Sequence, residues 1–169
     1  MRDVDDHRAA EEPAEPDPFS ADEFAAWRGM LRVHSAVFRE LDRELTAAHG
    51  FGIDAYAVLI TLVTEPDRRL PIGELGQRRN LTASGISRSV DRLVKLGLAE
   101  RGANPDDGRS LLVALSADGL RRLREAQVTH HRVVRSLLLD QLEPSEVRHL
   151  GGIWEKAMPG AVSSPSWPL

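Results

Sequence analysis

The chain of 169 residues is long enough to bury a core but fits one domain or a small two-lobed unit, which excludes a large multidomain enzyme. Hydrophobic residues make up 41% and charged residues 28%, the composition of an ordinary folded protein. No apolar run has the length of a membrane helix, and the acidic start lacks a signal-peptide pattern, so we expect a cytoplasmic protein without a membrane partner. The absence of cysteine excludes disulfides, thiolate zinc sites and cysteine nucleophiles.

The charge is unevenly distributed along the chain. The net charge of −4 by itself argues against nucleic-acid binding, but residues 1–23 carry nine acids against two arginines, which leaves the rest of the chain at +3. Residues 77–101 contain six bases and two acids, a local surplus of +4. Residues 1–18, rich in acids, Pro and Ala, cannot bury enough apolar surface to fold and are predicted to be a disordered leader. Residues 159–169 are predicted to be a tail.

Long amphipathic helices are predicted at both ends of the folded part. Ser20 and Glu23 have the spacing of a capping box, and apolar residues then recur at intervals of three and four until Gly50. Ser116 is placed to cap a second long helix, and Pro144 to open the helix that follows. One chain of this size can hardly cover the apolar stripes of both long helices, which indicates that a second copy packs against them.

The middle of the chain has the pattern of a helix-turn-helix followed by a hairpin. A helix capped by Asp54 precedes a short helix after Pro71, and Thr82 caps a further helix from Ala83 to about Leu96. Strand-like stretches at 98–101 and 110–115 are separated by GANPDDGR, which favours a long turn. We therefore predict a mainly α fold with a small β-wing. Its parts are a first dimerisation helix at 19–50, a winged helix-turn-helix DNA-binding lobe at 51–116 and C-terminal dimerisation helices at 117–158.

The helix that begins at Ala83 is strongly amphipathic. Exposed serines and arginines on such a helix suit the major groove of DNA, although a charged face on a lone helix usually does no more than contact solvent. The hairpin adds to the DNA interpretation, because Arg109 at its turn can enter a minor groove and Asp106 and Asp107 are close enough to orient the guanidinium. The two acids should also repel phosphate, so without the neighbouring helix the segment fits an ordinary Asp and Gly turn equally well. At about 100° per residue, the apolar side is Ile86, Val90, Leu93 and Val94, and the polar side is Ser84, Arg88, Asp91, Arg92 and Lys95.

The stretch LTASGISRSVDRLVKLGLAERGANPDDGRSLLVALSADG, after a long first helix, resembles the MarR family of winged-helix transcriptional regulators. The resemblance covers roughly residues 20–158, and its most specific parts are VDRLVKLGL, the DDGRS turn and the LS..G start of the next helix. It implies a homodimer with interlocking first, fifth and sixth helices that binds a pseudo-palindromic site in double-stranded DNA. The contacts it implies are Ser84, Ser87, Arg88 and Arg92 on the recognition helix, Arg78, Arg79 and Thr82 at phosphates, and Arg109 in a minor groove with Asp107 as its partner.

The resemblance also implies a small-molecule effector. Members of the family often bind small aromatic or phenolic anions between the dimer helices and the winged lobe, which makes Trp27, His34 and Tyr56 the candidate pocket residues. No HExxH spacing is present, so we expect no metal and no cofactor. The sequence also lacks a P-loop, GxGxxG, GxSxG or a paired-carboxylate arrangement, so we expect no enzyme activity.

We therefore expect a sequence-specific DNA-binding regulator, most often a repressor in this family, that a small ligand releases from its operator. Two alternatives remain at this point. The first is a DNA-binding protein that works without an effector. The second is a winged-helix interaction module that has lost DNA binding, which the acids beside Arg109 and the negative net charge would favour.

Overall fold

The computed structural model describes residues 18–105 and 110–162, so nearly all of the predicted leader and most of the tail lie outside the described residues. The described chain is mainly helical with one small sheet, as predicted. The predicted helices are all present, and a three-residue strand that the sequence pattern did not indicate precedes the third. The elements are α1 (Ala21–His49), α2 (Ile53–Val63), β1 (Arg69–Pro71), α3 (Ile72–Arg78), α4 (Ala83–Lys95), β2 (Ala99–Ala103), β3 (Leu111–Leu115), α5 (Ala117–Leu137), a 3-10 turn (Leu139–Gln141) and α6 (Pro144–Ala157).

The ends of α1 form as the sequence predicts. The amide of Glu23 donates to Ser20 Oγ at 3.3 Å, and the amide of Ser20 donates to Glu23 Oε2 at 2.8 Å, which completes the capping box. Gly50 ends the helix with φ 73°, a left-handed conformation that glycine adopts without a steric cost.

The predicted cap of α2 is wrong. Gly52, and not Asp54, precedes the first helical residue, and it provides no side-chain cap. Asp42 of α1 supplies the missing acceptor instead, because its Oδ1 accepts from the amide of Ile53 at 3.1 Å. A Cβ on residue 52 would overlap this carboxylate, so a larger residue there would displace the Asp42 side chain that accepts from Ile53.

The sheet is antiparallel with the strand order β1, β3, β2. Leu70 of β1 lies opposite Val113 of β3, and Arg101 of β2 lies opposite the same residue on the other edge. The second strand begins one residue later and extends two residues further than predicted. We call β2, β3 and the turn between them the wing.

The hydrophobic core lies between α2 and the elements packed around it. Five of the eleven residues of α2 are buried, among them Tyr56 and Leu59, and Val113 closes the core from the sheet. No single helix of the described residues is long and apolar enough to cross a membrane. Taken together, α1 and α2 would be long and apolar enough, but a sharp bend separates them. This criterion uses length and composition only, and the buried core helix of a soluble protein can also meet it.

The two ends of the described chain contribute little to this core. Within α1 only Val37, Leu41 and Leu45 are buried, and all three lie in its second half. Among the described residues, α6 has none that is buried. Large apolar side chains therefore remain exposed along both helices, including Leu31 of α1 and Ile153 of α6.

Candidate nucleic-acid interface

The turn between α3 and α4 positions α4 on the surface of the lobe. Thr82 caps α4 by accepting from the amide of Gly85 at 3.1 Å, as predicted. Asn80 takes a left-handed conformation with φ 50°, and the amide of Leu81 donates to the carbonyl of Gly76 at 2.9 Å. A Cβ on Gly76 would lie 3.1 Å from a methyl carbon of Ile86, so glycine allows the two helices to cross closely. These contacts produce a helix-turn-helix.

The outer face of α4 is polar and cationic. Ile86, Val90 and Leu93 are buried beneath it, whereas Val94, which we expected on the buried side, is 38% exposed. The difference arises because Val94 lies in the last turn, at the edge of the apolar stripe. The exposed residues of this face are Ser84, Arg88, Asp91, Arg92 and Lys95, and Ser87 is half-buried beside them.

Arg101 connects the wing to α4. Its Nη1 donates to Asp91 Oδ1 at 2.5 Å, and its Nη2 donates to the carbonyl oxygen of Ser87 at 3.1 Å. The same nitrogen lies 3.5 Å from Ser87 Oγ. The guanidinium therefore pairs with the carboxylate on the cationic face of α4 and holds the strand β2 against that helix. This arginine is one of the six bases of residues 77–101, and no local pattern in the sequence indicates its role.

The two arginines at the end of α3 differ in their surroundings. Arg78 donates to Glu65 Oε1 at 2.5 Å and to Glu74 Oε1 at 2.6 Å, so its charge is already paired within the lobe. Its hydrogen bonds to Glu74 and Glu65 raise the pKa of Arg78. The side chain of Arg79 is half-buried, and its Nε has no hydrogen-bond partner within the described residues.

The described part of the wing turn closes through a residue pair at its base. The amide of Asn104 donates to the carbonyl of Ser110 at 3.3 Å, and Asn104 Nδ2 donates to Ser110 Oγ at 2.7 Å. Asp107 and Arg109, the predicted minor-groove residues, lie outside the described residues. The base of the turn therefore forms a hairpin, as expected.

Known proteins share this arrangement of helix-turn-helix and wing. The MarR family model matches residues 49–110. A MarR family transcriptional regulator from Streptomyces coelicolor, solved in complex with DNA, superposes with a TM-score of 0.78 at 30% identity over 92% of this chain and 98% of that one. This chain belongs to the MarR family. The resemblance seen in the sequence is thus confirmed, and the protein is a DNA-binding transcriptional regulator and not an enzyme.

The chain is also similar to a second solved structure and to curated proteins. A MarR mutant from E. coli complexed with operator DNA has a TM-score of 0.69 at 24% identity, covering 82% of this chain and 96% of that one, and supports the fold. The HTH-type transcriptional repressor YetL of Bacillus subtilis is 26% identical over 113 residues, which is 65% of this chain and 68% of the relative. An uncharacterised protein of Mycobacterium bovis is 32% identical over 105 residues, covering 62% of this MarR family chain and 71% of the relative.

Two of the three predicted pocket residues of this MarR family member lie together. Trp27 and His34 both line an apolar cavity of about 840 Å³ between α1 and α6, and His34 stacks on Phe38 with ring centroids 4.2 Å apart. Ile153 and Trp154 line the opposite side of the cavity.

Tyr56 is separate from this cavity. It is 1% exposed in the core, where its ring stacks on His130 of α5 with centroids 4.9 Å apart. Its hydroxyl has no hydrogen-bond partner among the residues that the structure describes, and burial raises its pKa. Burial also lowers the pKa of His130 to about 4, with a smaller contribution from His131. The described residues contain no group of three potential ligands that would hold a metal ion.

Proposed function

We propose that the protein binds a pseudo-palindromic operator as a homodimer and represses transcription until a small aromatic or phenolic ligand releases it from DNA. The observation that carries the proposal is the exposed cationic face of α4, which ends the helix-turn-helix of a MarR family member. In this proposal residues 51–116 read DNA, and residues 19–50 and 117–158 form the dimer. An α-helix of this kind fits the major groove, where arginine donates to guanine and serine to several partners.

The roles of the contact residues follow from their positions. Base contacts are proposed for Ser84, Ser87, Arg88 and Arg92 because a recognition helix presents its N-terminal part and outer face to base edges. Phosphate contacts are proposed for the residues that border the turn, and a minor-groove contact for the wing arginine with its acidic partner. These are Arg78, Arg79 and Thr82 at phosphates, and Arg109 with Asp107 at the wing.

The homodimer is supported by the uncovered apolar surfaces of α1 and α6. Trp27 is 49% exposed, Phe38 46% and Ile153 58%, and all three line one cavity. Exposed apolar area of this extent usually marks an interaction surface. A second copy, which would present the same surface, can cover it with two-fold symmetry.

The effector part of the proposal uses the same cavity, which the second copy would close over without filling the space beside Trp27 and His34. An apolar space lined by Trp27 and His34 suits an aromatic ring, and the imidazole offers a hydrogen bond to a phenol or carboxylate. Tyr56 remains a candidate on separate grounds, because its buried hydroxyl lacks a partner among the described residues and could bond to a ligand there. Repression is proposed from the family and from the relative that is named a repressor.

DNA binding is tested by selecting bound duplexes from a random pool and measuring the affinity of the selected sequence at two salt concentrations. We expect binding that random competitor DNA does not displace, with a salt dependence set by the number of phosphate contacts. Arg109→Ala should weaken binding and relax the preference for A·T pairs beside the half-sites. Equal affinity for selected and random DNA would contradict sequence-specific regulation.

Repression is tested separately with a reporter gene that carries the selected site downstream of its promoter. Its expression should fall when the protein is present, whereas increased expression would contradict repression.

The dimer is tested by placing a carboxylate in the proposed interface. Ile153→Asp should give a monomer in sedimentation velocity, because burial of an unpaired charge between two copies is costly. Leu111→Asp is the matched control, since Leu111 is 47% exposed on β3 and lies outside the segments proposed to form the dimer. A dimeric Ile153→Asp, or a wild type that is monomeric, would contradict the proposed interface.

The ligand is tested with a panel of benzoates and phenols. Compounds that raise the melting temperature should also weaken binding to the selected DNA, because a ligand that favours one conformation shifts the population towards it. Trp27→Ala should remove both effects. A panel that changes neither property, while DNA still binds, would favour a regulator without an effector.

A further inference from the structure

Arg122, near the start of α5, joins the ends of two other helices. Its Nη2 donates to the carbonyl oxygen of His49 at 2.5 Å, and its Nη1 lies 3.5 Å from the carbonyl oxygen of Leu96. His49 is the last residue of α1, and Leu96 is the C-cap of α4. Carbonyl groups at a helix C-terminus lack intrahelical partners and carry a partial negative charge, so both ends attract the guanidinium.

The guanidinium is held in place by the core. It lies over the ring of Phe51 with its central carbon 5.6 Å from the ring centroid, and Phe51 is fully buried. The half-buried position of Arg122 strengthens these contacts, because water screens them less than it would at the surface. One side chain therefore fixes α1, α4 and α5 relative to each other.

The first turn of α5 contacts the same end of the recognition helix. Ser116 Oγ donates to the carbonyl of Gly97 at 2.6 Å, and the amide of Ser116 donates to the carbonyl of Leu98 at 3.1 Å. Gly97 and Leu98 follow Leu96, the C-cap of α4. The end of α4 is thus attached to α5 by Ser116, whereas Arg122 alone among these contacts also reaches α1.

We propose that Arg122 is a positioning residue that sets the orientation of the recognition helix relative to the dimerisation helices, and with it the half-site spacing that the dimer accepts. This inference rests on the proposed function as a homodimer that reads two half-sites. Two recognition helices must enter the major groove about one helical turn apart, so their mutual orientation decides which spacing binds. We call the contacts of Arg122 with the ends of α1 and α4 the joint. Loss of the joint would lower the effective concentration of the second lobe at its half-site, but it would leave the contacts within each half-site intact.

The neighbouring arginine provides a matched control. Arg121 has the same charge but pairs only with Asp118 and Glu125 of its own helix in the described contacts. Its replacement changes the net charge as much as the replacement of Arg122 does and leaves the joint between the three helices intact. A difference between the two variants therefore reports the joint and not the overall electrostatic attraction to DNA.

The experiment compares the wild type, Arg122→Leu and Arg121→Leu on the duplex selected by the wild type. Affinity is measured for the full operator, for a single half-site, and for operators whose half-sites are moved by one or two base pairs in each direction. We expect Arg122→Leu to lose about tenfold on the full operator, to change by less than about twofold on the half-site, and to show a broadened spacing profile. Arg121→Leu should keep the spacing profile of the wild type.

Several results would overturn the inference. The inference is wrong if Arg122→Leu keeps the spacing profile of the wild type. It is also wrong if the variant loses as much affinity for the single half-site as for the full operator. If Arg122→Leu does not fold, Arg122→Lys decides. Lysine puts one nitrogen in place of the planar guanidinium and so loses the separate contacts of Nη1 and Nη2, which should also broaden the profile. An unchanged profile rejects the inference. A wild type that prefers two half-sites no more than one would instead contradict the proposed dimeric reader itself.

Discussion

Arg101 of the wing forms an ion pair with Asp91 of the recognition helix, with Nη1 and Oδ1 2.5 Å apart. The pair joins two elements that the resemblance assigns to different grooves of DNA. It also neutralises the carboxylate on an otherwise cationic helix face. The side chain of Asp91 is 60% exposed, so without Arg101 its charge would be unpaired on the face proposed to contact DNA.

Removal of Arg101 should therefore weaken DNA binding through Asp91. Arg101→Ala should lower the affinity for the selected operator, and the double variant Asp91→Ala/Arg101→Ala should recover part of the loss. The free energy of unfolding should change by less than about 1 kcal/mol, because exposed ion pairs contribute little to stability. A double-mutant cycle on operator affinity measures the coupling. No recovery in the double variant would contradict an effect that acts through Asp91.

Arg88 and Arg78 should have different effects on specificity. Arg88 lies on the exposed face of α4, and Arg88→Ala should reduce the discrimination between operator and random DNA by about 1 to 3 kcal/mol. Arg78→Ala should weaken binding to all sequences alike and reduce the slope of log affinity against log salt by about 0.9, as expected for one phosphate contact. Glu65 and Glu74 would then lose the cation that now pairs with both of them. Competition titrations at several salt concentrations measure both quantities, and identical behaviour of the two variants would contradict the assignment.

Much of the local structure could be predicted because its signals lie close together in the sequence. The capping box of Ser20 and Glu23 and the cap of Thr82 involve residues three apart, and both form as expected. The first strand was missed because β1 has only three residues and pairs with β3, more than forty residues later. No local pattern reports such a pairing.

The candidate site was predictable to a similar degree. The polar face of α4 follows from helical periodicity alone. Arg101 pairs with Asp91 only because the chain turns back after α4, and Arg122 reaches His49 across 73 positions. The grouping of Tyr56 with Trp27 and His34 also required knowledge of how α1 packs on α2. The structure separates Tyr56 from the cavity because α2 buries that residue in the core.

Gly119 should be essential for the stability of the joint between the wing and α5. It is buried in the first turn of α5, where a Cβ would overlap the carbonyl oxygen of Leu98. Gly119→Ala should therefore lower the free energy of unfolding by about 1 to 3 kcal/mol, the usual cost of overpacking. Gly73→Ala is the control, because nothing lies within 4 Å of a Cβ at that position of α3 and helix propensity favours alanine. Urea unfolding of both variants measures the difference, and equal stabilities would contradict the steric explanation.

Stability should decrease in mild acid because of His130. Burial lowers the pKa of His130 to about 4 in the folded state, below the ordinary value of 6.5 expected for the unfolded chain. The unfolded state therefore binds more protons between these values, so the contribution of His130 is fully present above pH 6.5 and is lost as the pH falls towards 4. Because His130 is partly exposed, we expect the free energy of unfolding to fall by only about 1 to 2 kcal/mol over this range.

The measurement is the free energy of unfolding of the wild type and His130→Phe at several values between pH 7.5 and pH 4.5. Phenylalanine keeps an aromatic ring for the stack on Tyr56 but binds no proton, so the variant should lose less stability in acid than the wild type. His149→Gln, at an exposed position of α6, is the control for the loss of one histidine. Parallel curves for the wild type and His130→Phe would show that other groups cause the acid sensitivity. A flatter curve for His130→Phe alone would assign it to the buried stack between α2 and α5.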